Sequence, residues 1–154
     1  MIQRIQTVYL LLVAILSAVT FFLPIATIVT PANVFDLSCR GFVATPPIDA
    51  LHSSTWALSL VNILIPVIAL GTIFLFKRRR LQLVLSYINF LLMDAYYVIV
   101  IITLWFADQQ LATSSHWIYH YAFIFQIINM ILTFLAIRAI NKDEALIRSL
   151  NRLR

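Results

Sequence analysis

The chain has 154 residues, 62% of them hydrophobic and 11% charged, with a net charge of +5. A water-soluble domain carries roughly 45–50% apolar and about 25% charged residues, and a chain this small leaves too much surface in water to hide the excess. Composition therefore excludes an ordinary soluble domain and predicts a single all-α domain: an integral membrane, antiparallel four-helix transmembrane bundle.

The first apolar run, residues 7–29, carries no Asp, Glu, Lys or Arg and reaches the roughly 20 helical residues that a bilayer core requires. It exceeds the apolar core of a cleaved signal peptide, about 7–15 residues, and no small-x-small site follows, so it reads as a retained signal anchor. Pro24 predicts a kink near its outer end. An outer loop, residues 30–54, follows, and Pro31, Pro46 and Pro47 break any long helix there. Within it, residues 33–37 and 41–45 are short apolar stretches suited to pairing as a hairpin. Cys39 is the single cysteine. It allows no internal disulfide, and the CxxC pair of a membrane thiol oxidoreductase is missing. Ser53, Ser54 and Thr55 offer N-caps to the next helix.

The second run, residues 55–76, is joined to the third, 81–106, by the basic link Lys77, Arg78, Arg79 and Arg80. So short a link predicts an antiparallel hairpin. The fourth run spans residues 117–137. After it, Asn141 to Glu144 resembles a capping box, and Leu146, Leu150 and Leu153 recur at helical spacing beside Arg148, Arg152 and Arg154. The tail, residues 141–154, reads as an amphipathic helix on the inner surface or as an extension of the fourth helix.

Charge fixes the expected threading. With the N-terminus cytoplasmic, four spans return the C-terminus to the cytoplasm. Arg4, Lys77, Arg78, Arg79, Arg80, Arg138, Lys142, Arg148, Arg152 and Arg154 then lie inside, and only Arg40 lies outside. Such asymmetry is the positive-inside pattern. It accounts for the net charge without a nucleic-acid partner. Trp56, Trp105 and Trp117 fall at the outer interface, where amphipathic rings collect.

Three groups of residues are candidates for function. Asp94 is a charge in the middle of the third run, where a carboxylate costs about 2.5–3.5 kcal/mol and is expected to face protein or water. With Asn62, Gln126 and Asn129 it forms an expected intramembrane polar cluster, serving as a proton or cation site or as hydrogen-bonding glue between helices. His116 and His120 are four residues apart and would share a helix face; with His52 they are a candidate metal set. Lys77, Arg78, Arg79, Arg80, Arg148 and Arg152 are candidates for anionic lipid or partner contact. No Ser-His-Asp order, phosphate loop or paired carboxylate stands out, and no cofactor is implied.

Three segments carry a family resemblance: Met1-Ile-Gln-Arg-Ile-Gln-Thr-Val-Tyr-Leu-Leu-Leu12, Phe74-Leu-Phe-Lys-Arg-Arg-Arg-Leu-Gln-Leu83, and Asp143-Glu-Ala-Leu-Ile-Arg-Ser-Leu-Asn-Arg-Leu-Arg154. They resemble the start, second hairpin and end of a four-span membrane family of Bacteroidetes, domain of unknown function 4293. The resemblance implies a multi-pass protein of a bacterial inner membrane with a periplasmic outer side, and transfers no activity. The expected function is a non-enzymatic accessory or assembly subunit, acting through a protein partner or as a homo-oligomer among membrane lipids. The alternatives are a proton-coupled carrier using Asp94 and a metal-dependent membrane enzyme at the periplasmic face.

Overall fold

A computed structural model describes residues 3–31, 33–45, 55–75, 78–111 and 116–152, with only the backbone described at 3, 4 and 146–152. The chain is mostly helical: α1 (Gln3–Thr20), α2 (Trp56–Phe74), α3 (Arg79–Leu111) and α4 (Tyr121–Arg152). It also holds four strands, β1 (Pro24–Val29), β2 (Val34–Ser38), β3 (Gly41–Thr45) and β4 (His116–Tyr119), in one antiparallel sheet of order β3-β2-β1-β4. The expectation of an all-α fold is corrected by this sheet.

The sheet draws on both apolar runs that flank the bundle's ends. The first run is helical only to Thr20. Pro24 has no amide proton and its ring clashes with the carbonyl four residues back, so the helix stops before it. Thr27, Ile28 and Val29 are β-branched and suit a strand. The fourth run likewise opens as β4 before α4 begins. Strand β1 pairs with β2 through Thr27↔Asp36 and with β4 through Thr27↔Ile118.

The expected hairpin in the outer loop forms. Val34 pairs with Thr45 and Ser38 with Gly41, leaving Cys39 and Arg40 as a two-residue turn. Gly41 follows the turn at φ 149°, a backbone conformation open chiefly to glycine. The Ser59 hydroxyl donates to the Cys39 carbonyl and ties this turn to the start of α2. Arg40 lies over the Phe22 ring, 5.0 Å from its centroid, within cation–π reach. The expected cap of α2 is not made at Thr55, whose side chain forms no capping bond; Ser53 and Ser54 lie outside the described residues.

Helix α1 packs on α2 and α4, and α3 packs on the same two. The buried positions recur at alternating spacings of four and three. On α4 they are Ala122, Gln126, Asn129, Thr133, Ala136 and Ile140; on α1 they are Gln6, Leu10, Val13, Ser17 and Thr20. That spacing, near 3.5 residues, keeps one face of each helix turned toward its neighbours. At the end away from the sheet, Gln6 Nε2 donates to Asp143 Oδ2 at 2.7 Å and Arg79 approaches the same carboxylate at 4.0 Å. One buried acid thus joins α1, α3 and α4. Helix α4 continues unbroken through residues 141–152, so the tail extends the fourth helix instead of forming a separate one.

Among the described residues three helices are long and apolar enough to cross a membrane: Trp56–Phe74, Arg79–Leu111 and Tyr121–Ala145. The apolar part of the first, Ile5–Thr20, is shorter.

Candidate functional site

The centre of the helical layer is polar. Ser17 of α1, Asn62 of α2, Asn89 and Tyr96 of α3, and Gln126 and Asn129 of α4 are all buried. Asn129 Nδ2 donates to Ser17 Oγ and to Gln126 Oε1, both at 3.0 Å. Asn62 Nδ2 reaches the Ser17 carbonyl at 3.4 Å. One turn further along α4, Thr133 Oγ1 donates to Met93 Sδ at 3.7 Å; one turn before Gln126, Tyr97 Oη donates to the Phe123 carbonyl at 2.8 Å. Three of the four residues expected to cluster, Asn62, Gln126 and Asn129, meet around Ser17, which sequence reasoning missed.

Asp94 does not join them. Its side chain is exposed, on the outer side of α3 between Leu91 and Val98, which are 68% and 55% exposed. The expectation that this carboxylate faces the interior is corrected. The buried stripe of α3 runs through Ser86, Asn89, Met93, Tyr96 and Val100, and Asp94 is one residue, about 100° of helix, off its phase. No hydrogen bond or ion pair to the Asp94 carboxylate is present among the described residues.

A second polar group sits at the sheet. Thr27 and Asp36 are cross-strand partners, so their side chains share a face. Thr27 Oγ1 donates to Asp36 Oδ1 at 2.5 Å and lies 2.6 Å from His120 Nε2. With its proton on Asp36, the hydroxyl can only accept from the imidazole, which assigns N–H to Nε2. This is the reverse of a nucleophilic triad, in which histidine takes the hydroxyl proton. The arrangement fastens β1, β2 and the start of α4 together and does not activate Thr27. The His120 backbone N–H also donates to the Ile25 carbonyl at 3.0 Å.

These positions separate two members of the expected metal set. His116 is exposed in β4 while His120 bonds Thr27. The two do not share a helix face, and His52 lies outside the described residues. Among the described residues no group of three His, Cys, Asp or Glu side chains is placed to hold a metal ion.

The family model described as Domain of unknown function (DUF4293) matches residues 2–153. The chain belongs to the DUF4293 family. No curated protein matches it.

In this DUF4293 chain the basic residues divide by place. Arg78 and Arg80 are exposed at the start of α3, whereas Arg79 is turned to Asp143. Lys77 lies outside the described residues. Arg148 and Arg152 belong to the last turns of α4. Cys39 is fully buried beneath the hairpin turn, and burial pushes its thiol up to about 11, partly offset by the nearby Tyr96 hydroxyl. The two groups stand close, but Tyr96 Oη makes no hydrogen bond of normal geometry. The thiol is therefore protonated and inert at neutral pH. The only buried charged side chain among the described residues is Asp143, at the end of the seam. What the central layer offers is neutral hydrogen bonding, from amides and hydroxyls on all four helices.

Proposed function

We propose that the chain is a four-span integral membrane bundle of the bacterial inner membrane that acts through protein contacts within the bilayer, as an accessory or assembly subunit. In this reading the termini and the α2–α3 link are cytoplasmic and the sheet caps the outer end.

The observation that carries the membrane part is an inverted distribution of polarity. The inner seams hold Gln6, Ser17, Asn62, Asn89, Gln126 and Asn129, while the outer faces carry Val67, Leu91, Ile131 and Phe134. A soluble helix buries its apolar face and wets its polar one. Soluble monomers rarely expose contiguous apolar patches beyond a few hundred Å². In lipid the rule reverses, because apolar side chains gain nothing by leaving hydrocarbon while hydrogen bonds join helices. Arg78, Arg80, Arg138 and Lys142 are exposed at the end away from the sheet, which supports the threading.

Asp94 supports the second part. It is one residue from the middle of α3, facing outward among apolar neighbours. A carboxylate in that position is expensive in lipid and is relieved by a donor on another protein. The same placement removes the ground for a carrier with Asp94 as its interior site. A photo-crosslinking residue at Leu91 tests the reading in native membranes. The expected result is a discrete protein adduct that Asp94→Leu abolishes; adducts to lipid alone refute it. Topology is tested separately by labelling of introduced cysteines. Arg80 and Lys142 are expected on one side and Arg40 on the other.

A further inference from the structure

We propose that the bundle interior holds a site for a small cluster of ordered water molecules, centred on Ser17 and lined by Asn62, Gln126, Asn129 and Tyr96. The inference rests on an inventory of hydrogen-bonding atoms. Asn62 Oδ1, Asn129 Oδ1, Gln126 Nε2, Tyr96 Oη and both amide atoms of Asn89 are shut from the outside and have no hydrogen-bond partner among the described residues. Each of these five residues is at most 1% exposed. Buried polar atoms are paired in all but a few cases, and each exception calls for an occupant.

The orphans converge. Asn129 bonds Ser17 and Gln126, and Asn62 bonds the Ser17 carbonyl. Ser17 and Asn129 thus join all three amides into one contiguous group. The Tyr97–Phe123 bond sets α3 against α4 one turn from Gln126, bringing Tyr96 to the same region. Pro66 adds a further acceptor, because it has no amide proton to give the Asn62 carbonyl four residues before it.

The chemistry selects the guest. Around Ser17 the free amide atoms are two carbonyl oxygens and one NH₂ group, and the Tyr96 hydroxyl joins them as a donor and acceptor. A single water donates twice and accepts once, and buried waters typically make about three hydrogen bonds. Reversing an amide exchanges a free oxygen for a free nitrogen and leaves the mismatch in place. An anion would leave the carbonyls unmatched. A divalent cation demands more oxygen ligands than these. No charged side chain reaches this layer to neutralise either ion.

Radiolytic hydroxyl labelling of the purified full chain in nanodiscs, with the solvent in H₂¹⁸O, tests this. Met93 and Tyr96 are both 0% exposed, so prompt oxidation there needs water beside them. The expected result is ¹⁸O incorporation at Met93 and Tyr96 comparable to that at the exposed Tyr119 and Tyr121. Labelling of Tyr119 and Tyr121 with none above background at Met93 and Tyr96 overturns the proposal. The double substitution Asn62→Leu, Asn129→Leu is the second arm. Interior labelling should fall several-fold while circular dichroism keeps its helical signal. Undiminished interior labelling means that oxidant enters by breathing of the bundle, and overturns it as well. If the double variant does not fold, the wild-type measurement decides.

Discussion

Replacing Asp94 with leucine should stabilise the isolated chain. Most substitutions of a lone charged residue inside a protein do the opposite, because a partner is left behind. Among the described residues no partner is left behind: the carboxylate is exposed and flanked by Leu91 and Val98 one turn to either side. A leucine at 94 would meet the same surroundings as those two. The cost removed is that of holding a carboxylate at the middle of a span, about 2.5–3.5 kcal/mol. At about 1.4 kcal/mol per tenfold, that is roughly 60- to 300-fold in the folding equilibrium. Reversible unfolding in mixed detergent micelles, followed by steric trapping, measures it. Leu91→Asp, which adds a second unpaired carboxylate to the same face, should shift the equilibrium the other way by a similar amount. Loss of more than about 1 kcal/mol in Asp94→Leu would refute the reasoning, because it would mean that the carboxylate has an internal partner. In native membranes the same substitution should release whatever protein contacts this face, so stability and association are expected to move in opposite directions.

Thr27→Val keeps the shape of residue 27 but removes the hydroxyl between Asp36 and His120. It should cost about 1–3 kcal/mol and speed amide hydrogen exchange at His120, whose N–H is held by Ile25. Asp143→Ala leaves Gln6 buried without its acceptor and Arg79 without its anion. A loss of about 1.5–3 kcal/mol is expected for the charged hydrogen bond, with little added for the partly exposed arginine contact; a melting curve in detergent checks it. Cys39 should make stability fall at alkaline pH. Its thiol is raised in the fold from the ordinary value of 9.0 to about 11, so the folded state favours the protonated form. That preference is fully present below pH 9 and is lost as pH rises through 11. Cys39→Ala should flatten the decline, and maleimide should modify Cys39 at pH 7 only after unfolding.

The helices and the basic end were legible because they rest on composition. Apolar runs of bilayer length and clustered Arg and Lys need no knowledge of contacts, and the hairpin of residues 33–45 was legible from its short β-prone stretches. The phase of α3 is within reach of the sequence as well. The charge of Asp94 suggests an inward face at that position, yet Asp94 lies outside. The better signal was the alternation of four and three among small and polar residues: Ser86, Asn89, Met93 and Tyr96 on α3, echoed by Gln126, Asn129 and Thr133 on α4. A membrane seam is marked by those residues and not by the greasy ones. Asp94 breaks that alternation.

The sequence by itself determined that this chain is built of long apolar runs with its cations clustered between and after them, because those properties are sums over residues. It did not determine where the first run changes from helix to strand. An apolar stretch such as residues 24–29 satisfies either form locally, and β1 exists because β2 and β4 supply its hydrogen-bonding partners. Strand β4 comes from a segment about 90 residues away. The meeting of Thr27 with Asp36 and His120 and the gathering of amides around Ser17 are likewise products of tertiary packing. Each depends on which faces of separate elements come together, and no local pattern encodes that.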